Sequence, residues 1–258
     1  MSMSSEPGTS TPATSYSPDA AAPPPAPEAT SAWEDFIDIF HAPAAVFRRR
    51  ERGSWFLPAL VVAVLVGILF ITSQGVLEPV LDAEFERSAG AAMRANPQIT
   101  PEMMQQARSM NAMVTKVMVF VAMPIVIWLV GTALWLVGKL VDAVQSYHAA
   151  LVVAAWAYMP KVLDSMATAI QSFVFTPAEL DGRYRLSLGV GRFLDPDTTS
   201  PLVLALVGRL DVFTIWVTVL LAIGLMVTGK VDRVRAIAAG AGVWVLGAIP
   251  GVLQALRS

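Results

Sequence analysis

The 258-residue chain is too apolar and too poor in charge for an ordinary soluble domain. Hydrophobic residues make up 55% of it and charged residues 15%, whereas soluble proteins carry about 25% charged residues, so the composition predicts an integral membrane protein. It has no cysteine and only two histidines, which excludes disulfides, thiolate nucleophiles and cysteine metal sites. We therefore expect no enzymatic activity, no cofactor and no metal. The net charge of −2 argues neither for nor against nucleic acid as a partner. For a membrane protein of this composition we do not expect one.

Residues 1–30 are predicted to be a disordered tail. This segment is rich in Pro, Ser, Thr and Ala and contains neither Lys nor Arg. It cannot bury enough apolar surface to offset the entropy of ordering the chain. Two interpretations stay open: a solvated tail, and a docking tail for a proline-binding module.

A short amphipathic helix is predicted next, from Ser31 to Phe40. Its apolar residues fall at the i, i+3, i+4 and i+7 positions of one helix face, and they are Trp33, Phe36, Ile37 and Phe40. Such a helix can lie in the membrane interface. It can also pack on cytoplasmic loops of its own protein, and the sequence does not choose between these locations.

Four arginines, Arg48, Arg49, Arg50 and Arg52, come directly before the first uncharged apolar run, 55–77. Its 23 residues would form a helix about 34 Å long, enough to cross a hydrocarbon core of about 30 Å. Positive charge beside the first span is retained in the cytoplasm. We therefore interpret these arginines as membrane-orienting residues and expect a cytoplasmic N-terminus.

Five spans are predicted in total, which makes the chain an all-α bundle of transmembrane helices within a membrane domain over 31–258. Extracytoplasmic loops are expected at about 78–113 and 173–208, the first of them holding two helical pieces separated by Pro97 and Pro101. An odd number of spans leaves the C-terminus extracytoplasmic. The spans are expected at about 55–77, 117–137, 147–172, 212–229 and 236–256.

The third span is interrupted near its middle by Pro160, Lys161 and Asp164. Ionisable residues inside a membrane are costly and often functional. Lys161 and Asp164 stand at i and i+3 and can pair on one helix face. The sequence therefore predicts an intramembrane polar pair, and two interpretations stay open: a structural pair within the bundle, and part of a substrate path.

The fifth span carries small residues on one side. Ala236, Gly240, Gly247 and Gly251 fall within about 60° of each other around a helix, and such a strip lets another helix approach closely. We interpret the three glycines as helix-packing residues. The approaching helix can belong to the same chain or to a second copy in a dimer.

Three loose motifs and the order of the elements resemble the Yip family of five-span membrane proteins over roughly residues 35–256. The motifs are Phe40-His41-Ala42-Pro43 with Val46-Phe47 before the first span, Ala154 to Pro160 in the third, and Leu210 to Trp216 opening the fourth. The resemblance implies a cytoplasmic N-terminus, five helices, and in eukaryotic members a role in vesicle traffic with Rab-type GTPases and in shaping membranes. It supplies no catalytic residues. The alanine-rich composition favours a bacterial source, hence the bacterial cytoplasmic (inner) membrane, and argues against Rab partners.

The leading functional hypothesis is a non-enzymatic membrane protein that organises the bilayer or recruits and scaffolds partners. Its expected partners are the lipid bilayer and either copies of itself or other membrane proteins. The alternative is a small transporter or channel subunit that uses the broken third helix around Pro160, Lys161 and Asp164. An intramembrane enzyme is disfavoured because Ser146 and His148 do not share a helix face.

Overall fold

The computed structural model describes residues 31–96, 98–175 and 183–256, and the predicted tail over 1–30 lies outside these residues. Within them the protein is all-α, with no β-strand, as the sequence predicts. The residues from Ala32 onward form one compact unit. Its α-helices are α1 (Ala32–His41), α2 (Pro43–Arg50), α3 (Phe56–Ala95), α4 (Pro101–Leu140), α5 (Tyr147–Ala157), α6 (Pro160–Val174), α7 (Arg183–Leu186), α8 (Pro201–Val207), α9 (Val212–Gly229), α10 (Arg233–Leu246) and α11 (Ile249–Ala255), and a 3-10 turn covers Val190–Phe193.

Four helical segments are long and apolar enough to cross a membrane: Phe56–Pro79, Met113–Leu140, Val212–Gly229 and Arg233–Ala255. The remaining predicted span, the third at 147–172, is divided between α5 and α6, each too short to cross alone. Five uninterrupted spans are therefore not confirmed. The physical reason is Pro160, which has no N–H to donate to the preceding turn and begins a new helix instead of continuing α5.

The two longest helices, α3 and α4, have 40 residues each. At about 1.5 Å per residue each is close to 60 Å long, roughly twice the thickness of a hydrocarbon core. The segment predicted as the first extracytoplasmic loop is therefore helical up to Ala95 and again from Pro101. The Thr100 side chain accepts a hydrogen bond from the Met103 amide and caps the new helix, and an ion pair between Arg108 and Asp82 joins the two helical extensions.

Helix α5 lies at the centre of the bundle, with every residue from Ala149 to Ala157 buried. It packs against α3, α4 and α9. Its many alanines permit close approach, and a Cβ added at Gly131 of α4 would lie only 2.7 Å from Cδ2 of Leu151. Small side chains on both sides of this contact bring the helices together, as is usual between helices in membranes.

The ends of α5 and α9 are joined at one side of the bundle. The Val144 amide donates to the Gly229 carbonyl at 3.1 Å, and the Gln145 side chain donates to the Thr228 hydroxyl at 2.6 Å. The neighbouring connector, 230–232, begins with Lys230 at φ 54° and ends with Asp232, whose side chain accepts from the Arg235 amide at 3.0 Å. That hydrogen bond lowers the pKa of the exposed Asp232 carboxyl.

Helices α1 and α2 form a hairpin that packs directly on the central helices. Phe36 meets Trp156 of α5 with ring centroids 4.9 Å apart, and Phe40 meets Trp216 of α9 at 5.5 Å. On α2, Val46 and Phe47 are completely buried. Trp33 and Ile37, which the sequence predicts on the same apolar stripe as Phe36 and Phe40, do not share this contact and are 73% and 67% exposed. The amphipathic α1 therefore packs on helices rather than on loops.

The hairpin reaches far along the bundle. Trp156 comes ten residues after Ser146, which precedes α5, and Trp216 comes thirteen residues before Gly229, which ends α9. At about 1.5 Å per residue, α1 contacts the bundle roughly 15 to 20 Å from the joined ends of α5 and α9. The other end of the hairpin stays near those ends, because His148 donates from Nε2 to the Gly53 carbonyl at 2.9 Å.

We predict that Asp35→Asn destabilises the protein by about 1–3 kcal/mol. Asp35 is fully buried and paired with Arg49 and Arg50, and hydrogen bonds to charged groups are worth roughly that much. Thermal unfolding in detergent measures the change, and limited proteolysis within residues 31–54 reports whether the hairpin detaches. Glu34→Gln, an equal loss of charge on an exposed neighbour, is the control. Equal unfolding midpoints for both variants would contradict the assignment.

Candidate functional site

The four arginines of the predicted membrane-orienting cluster divide into two pairs with different surroundings. Arg49 binds Asp35 through Nε at 3.0 Å and also pairs with Asp38, and Arg50 pairs with Asp35. Arg48 and Arg52 are exposed and make no ion pair within the described part of the chain. Two of the four positive charges are thus neutralised by α1, and two stay available to solvent or lipid headgroups.

The ion pairs that Asp35 and Asp38 form with Arg49 and Arg50 were not predicted from the sequence, although the sequence contains a signal for them. Asp35 and Arg49 lie seven residues on either side of Ala42, the residue between two short helices, so an antiparallel hairpin brings them together. The hydrogen bonds to Asp35 and then Asp38 raise the pKa of the Arg49 guanidinium. Arg49 therefore stays charged at physiological pH and serves the hairpin as a permanent cation.

The three motifs that carry the family resemblance meet in space. Phe40 and Phe47 of the first motif, Trp156 of the second and Trp216 of the third belong to one hydrophobic cluster. The first motif is more than a hundred residues from the second in the chain, and the second is about fifty residues from the third. Their convergence means that the motifs specify how the N-terminal hairpin docks on α5 and α9.

The predicted intramembrane pair is formed, and it belongs to a larger network. Lys161 donates from Nζ to Asp164 at 3.0 Å and to the Thr214 hydroxyl at 3.2 Å, and its Nζ lies 3.9 Å from Asp211. Both members of the pair are about three-quarters buried. The network therefore connects α6 with the beginning of α9, in addition to pairing two residues on one helix.

Asp211 links this network to the backbone of α9. Its carboxylate accepts hydrogen bonds from the amides of Phe213 at 3.0 Å and Thr214 at 2.9 Å, two of the donors that a helix N-terminus leaves unpaired. We did not assign Asp211 or Thr214 from the sequence. An aspartate immediately before an apolar run is a helix-start signal that identifies the cap, but not the lysine that approaches it from another helix.

A second polar group, Arg209, fills the break between α10 and α11. Its guanidinium donates to the carbonyls of Gly247 at 2.8 Å and Trp244 at 2.9 Å, and it lies over the Trp244 ring at 5.4 Å from the centroid. The end of α10 leaves carbonyls unpaired, and nothing in a hydrocarbon environment could replace these bonds. The sequence did not assign a role to Arg209. In the structure it supplies hydrogen bonds to the backbone carbonyls at the break between α10 and α11.

The three predicted helix-packing glycines face other segments of the same chain. A Cβ at Gly240 would lie 3.2 Å from the Thr218 carbonyl of α9, one at Gly247 would lie 2.7 Å from Nη2 of Arg209, and one at Gly251 would lie 3.7 Å from Cβ of Ala205. Only the first two positions are tight. Gly240 lets α9 and α10 approach, and Gly247 makes room for the guanidinium.

Between α4, α9 and the α10–α11 break lies a cavity of about 480 Å³, hereafter the α4–α9 cavity. Its walls are mostly aliphatic, and its only charged lining residues among those described are Lys161 and Arg209. Tyr158, at the α5–α6 break, also lines it. The arrangement suits binding of a partly apolar molecule better than acid–base chemistry, and no group of three His, Cys, Asp or Glu in the described residues is placed to hold a metal.

We predict that Gly247→Ala lowers the thermal unfolding midpoint in detergent, because the added Cβ displaces Arg209 from two backbone carbonyls. The expected loss is about 1–3 kcal/mol, the cost of leaving buried polar groups unpaired. Gly251→Ala is the matched control, since its Cβ meets only ordinary contact distances. If both substitutions leave stability unchanged but reduce the mass of the protein–detergent complex in light scattering, the two glycines instead form a dimer interface.

Comparisons with known proteins place the chain in a family. Neither the curated proteins nor the solved structures include a match to it. The family model for the Yip1 domain matches residues 37–253, from the middle of α1 to the middle of α11. This range contains the second half of α1, all of α2, the polar network and the cavity. It covers most of the sequence, and the chain belongs to the Yip1 domain family.

Proposed function

We propose that this Yip1-domain protein is a non-enzymatic membrane scaffold that organises the bilayer or recruits partner proteins within it. The observation that carries the proposal is how the charged residues inside the predicted spans are used. Lys161 is bound both to Asp164 and to the beginning of α9, at Thr214 and Asp211, so the pair stabilises the bundle and is not available as a reactive pair. Ser146 and His148 are likewise occupied, by the α5 amide of Ala149 and by the Gly53 carbonyl.

The surface that such a scaffold offers to partners is apolar and extends along the outer helices. In the most apolar 18-residue stretch of α4, only 17% is buried within the chain. In the corresponding stretch of the α10–α11 segment, only 28% is buried. These faces can meet lipid, a second copy of the chain or another membrane protein. We include all three as partners, and no nucleic acid.

The proposed setting is the bacterial cytoplasmic membrane, with the N-terminus in the cytoplasm and the C-terminus outside. Arg48 and Arg52 support this orientation because they remain exposed next to the start of α3 and cations there favour the cytoplasmic side. The path through α5 and α6 supports a fifth crossing made of two helices. The orientation depends on that divided crossing, since four crossings would return both ends to one side.

A transporter or channel subunit is the second candidate, and one observation favours it. The α5–α6 break, with Lys161 beside it, opens on the α4–α9 cavity, and broken helices beside intramembrane charges occur at transport sites. The ion pairs of Lys161 argue against it, because a transported ligand would have to displace Asp164 and Thr214 from the ammonium group.

A flux measurement separates the two candidates. Liposomes containing the full chain, or the Lys161→Leu/Asp164→Val variant, are assayed for proton and potassium flux after both proteins are shown to be monodisperse. The scaffold predicts no flux above protein-free liposomes for either protein. The transporter predicts flux for the unaltered chain that the double substitution abolishes, and Asp142→Asn, which changes an exposed carboxylate in a connector, serves as the control.

The scaffold itself is tested in the same liposomes. It predicts energy transfer between differently labelled copies, retention of membrane proteins after mild detergent extraction, or altered vesicle shape in electron cryomicroscopy. A variant with Arg48→Gln and Arg52→Gln shows whether the exposed arginines contribute. A protein that neither self-associates, retains partners nor changes vesicle shape would contradict the proposal.

A further inference from the structure

The α4–α9 cavity has properties that its role in packing does not explain. Its volume of about 480 Å³ lies within the range of about 300–1,000 Å³ found for small-molecule sites. An empty apolar space of this size inside a bundle would lose packing contacts on every wall. The lining includes side chains that are also exposed at the outside of the bundle, Leu129 at 52% and Leu246 at 42%, so the cavity is open towards the lipid.

The charged groups of the cavity wall are of one sign. Both charged residues that line it, Lys161 and Arg209, are cations, and the carboxylates of Asp164 and Asp211 are not part of its wall. Two donors also lack a partner. The Nε atom of Arg209 is buried without one, and the half-buried Tyr158 has no hydrogen bond from its hydroxyl within the described residues. A buried donor without a partner is unfavourable, and an anionic oxygen would satisfy Arg209 Nε and also accept from the Tyr158 hydroxyl.

The charged residues of the cavity lie far from the joined helix ends, whereas part of its aliphatic wall reaches closer to those ends. Ala133 of α4 and Leu221 of α9 are seven and eight residues from the helix ends at Leu140 and Gly229, about 11 to 12 Å along each helix. Arg209 binds the carbonyl of Gly247, fourteen residues from the start of α10 at Arg233, or about 21 Å from the same side. The cations are therefore farther from the joined helix ends, and the aliphatic wall extends from them towards the middle of the bundle.

We infer that the α4–α9 cavity binds one anionic phospholipid of the leaflet opposite the joined α5 and α9 ends. The lipid phosphate is held by Arg209 and the Tyr158 hydroxyl, while Lys161 keeps its bonds to Asp164 and Thr214 and contributes positive charge from the same wall. One acyl chain lies along the aliphatic wall towards the membrane midplane. The charge of the lining selects the headgroup, since charge-assisted hydrogen bonds to phosphate are stronger than neutral ones. This site goes beyond the proposed scaffold and does not depend on it.

The test is a titration of the delipidated full-length protein with phosphatidylglycerol and with phosphatidylcholine of identical chains, followed by native mass spectrometry. The unaltered protein is expected to bind one phosphatidylglycerol at least about tenfold more tightly than phosphatidylcholine. Equal affinities would overturn the inference. A third arm uses free palmitate, and binding of palmitate in preference to phosphatidylglycerol would overturn the assignment to a phospholipid.

Two substitutions locate the lipid. Ala133→Phe fills the aliphatic end and is expected to abolish the single tight site, whereas Ala122→Phe, on an exposed position of the same helix, retains it. Tyr158→Phe removes a hydroxyl that bonds to no described residue, so it is expected to weaken phosphatidylglycerol binding several-fold without lowering stability. Tyr147→Phe, whose hydroxyl contacts Thr132 away from the cavity, is its control. Unchanged binding in both Ala133→Phe and Tyr158→Phe would overturn the inference.

Discussion

The structure depends on one constraint: a polar group at the depth of the hydrocarbon core must find its partner inside the protein, because acyl chains offer none. This chain breaks two of its predicted spans, at Tyr158–Met159 and at Gly247–Ala248, and each break frees backbone groups. Arg209 bonds the carbonyls at the second break. At the first, Lys161 follows the break and binds the carboxylate that caps α9. The polar residues that appear most reactive in the sequence therefore hold the helices together.

The same constraint explains the N-terminal hairpin. Asp35 is fully buried, and a buried carboxylate is tolerated only when it is paired and hydrogen-bonded. Arg49 and Arg50 supply both, so the basic segment before the first span has a structural role beside its predicted topological one. Because Phe40, Trp156 and Trp216 belong to the cluster on which the hairpin rests, docking of the hairpin and assembly of the central helices stabilise each other.

Hydropathy and charge predicted the fold class and the positions of α3, α4, α9 and α10, since long uncharged runs are a strong signal. Pro160 and the i, i+3 spacing predicted the break between α5 and α6 and the Lys161–Asp164 pair, because both are local. What the sequence did not predict are contacts between segments distant in the chain. Arg209 meets Gly247 across 38 residues, and Lys161 meets Thr214 across 53. Gly131, which brings α4 onto α5, belongs to no small-residue pattern, because only its neighbour in space makes a glycine necessary there.

The central claim is that the intramembrane charges stabilise the bundle, and a double-mutant cycle in detergent tests it most directly. We predict that Lys161→Leu is the more destabilising single change, since it leaves the carboxylates of Asp164 and Asp211 without their cation, and that Asp164→Val costs less. The double variant is expected to lose less stability than the sum of the two single losses. The interaction free energy between the two substitutions should exceed about 0.5 kcal/mol, as for partners in one ion-pair network. Small and additive effects would contradict the claim and return the pair to the transport hypothesis.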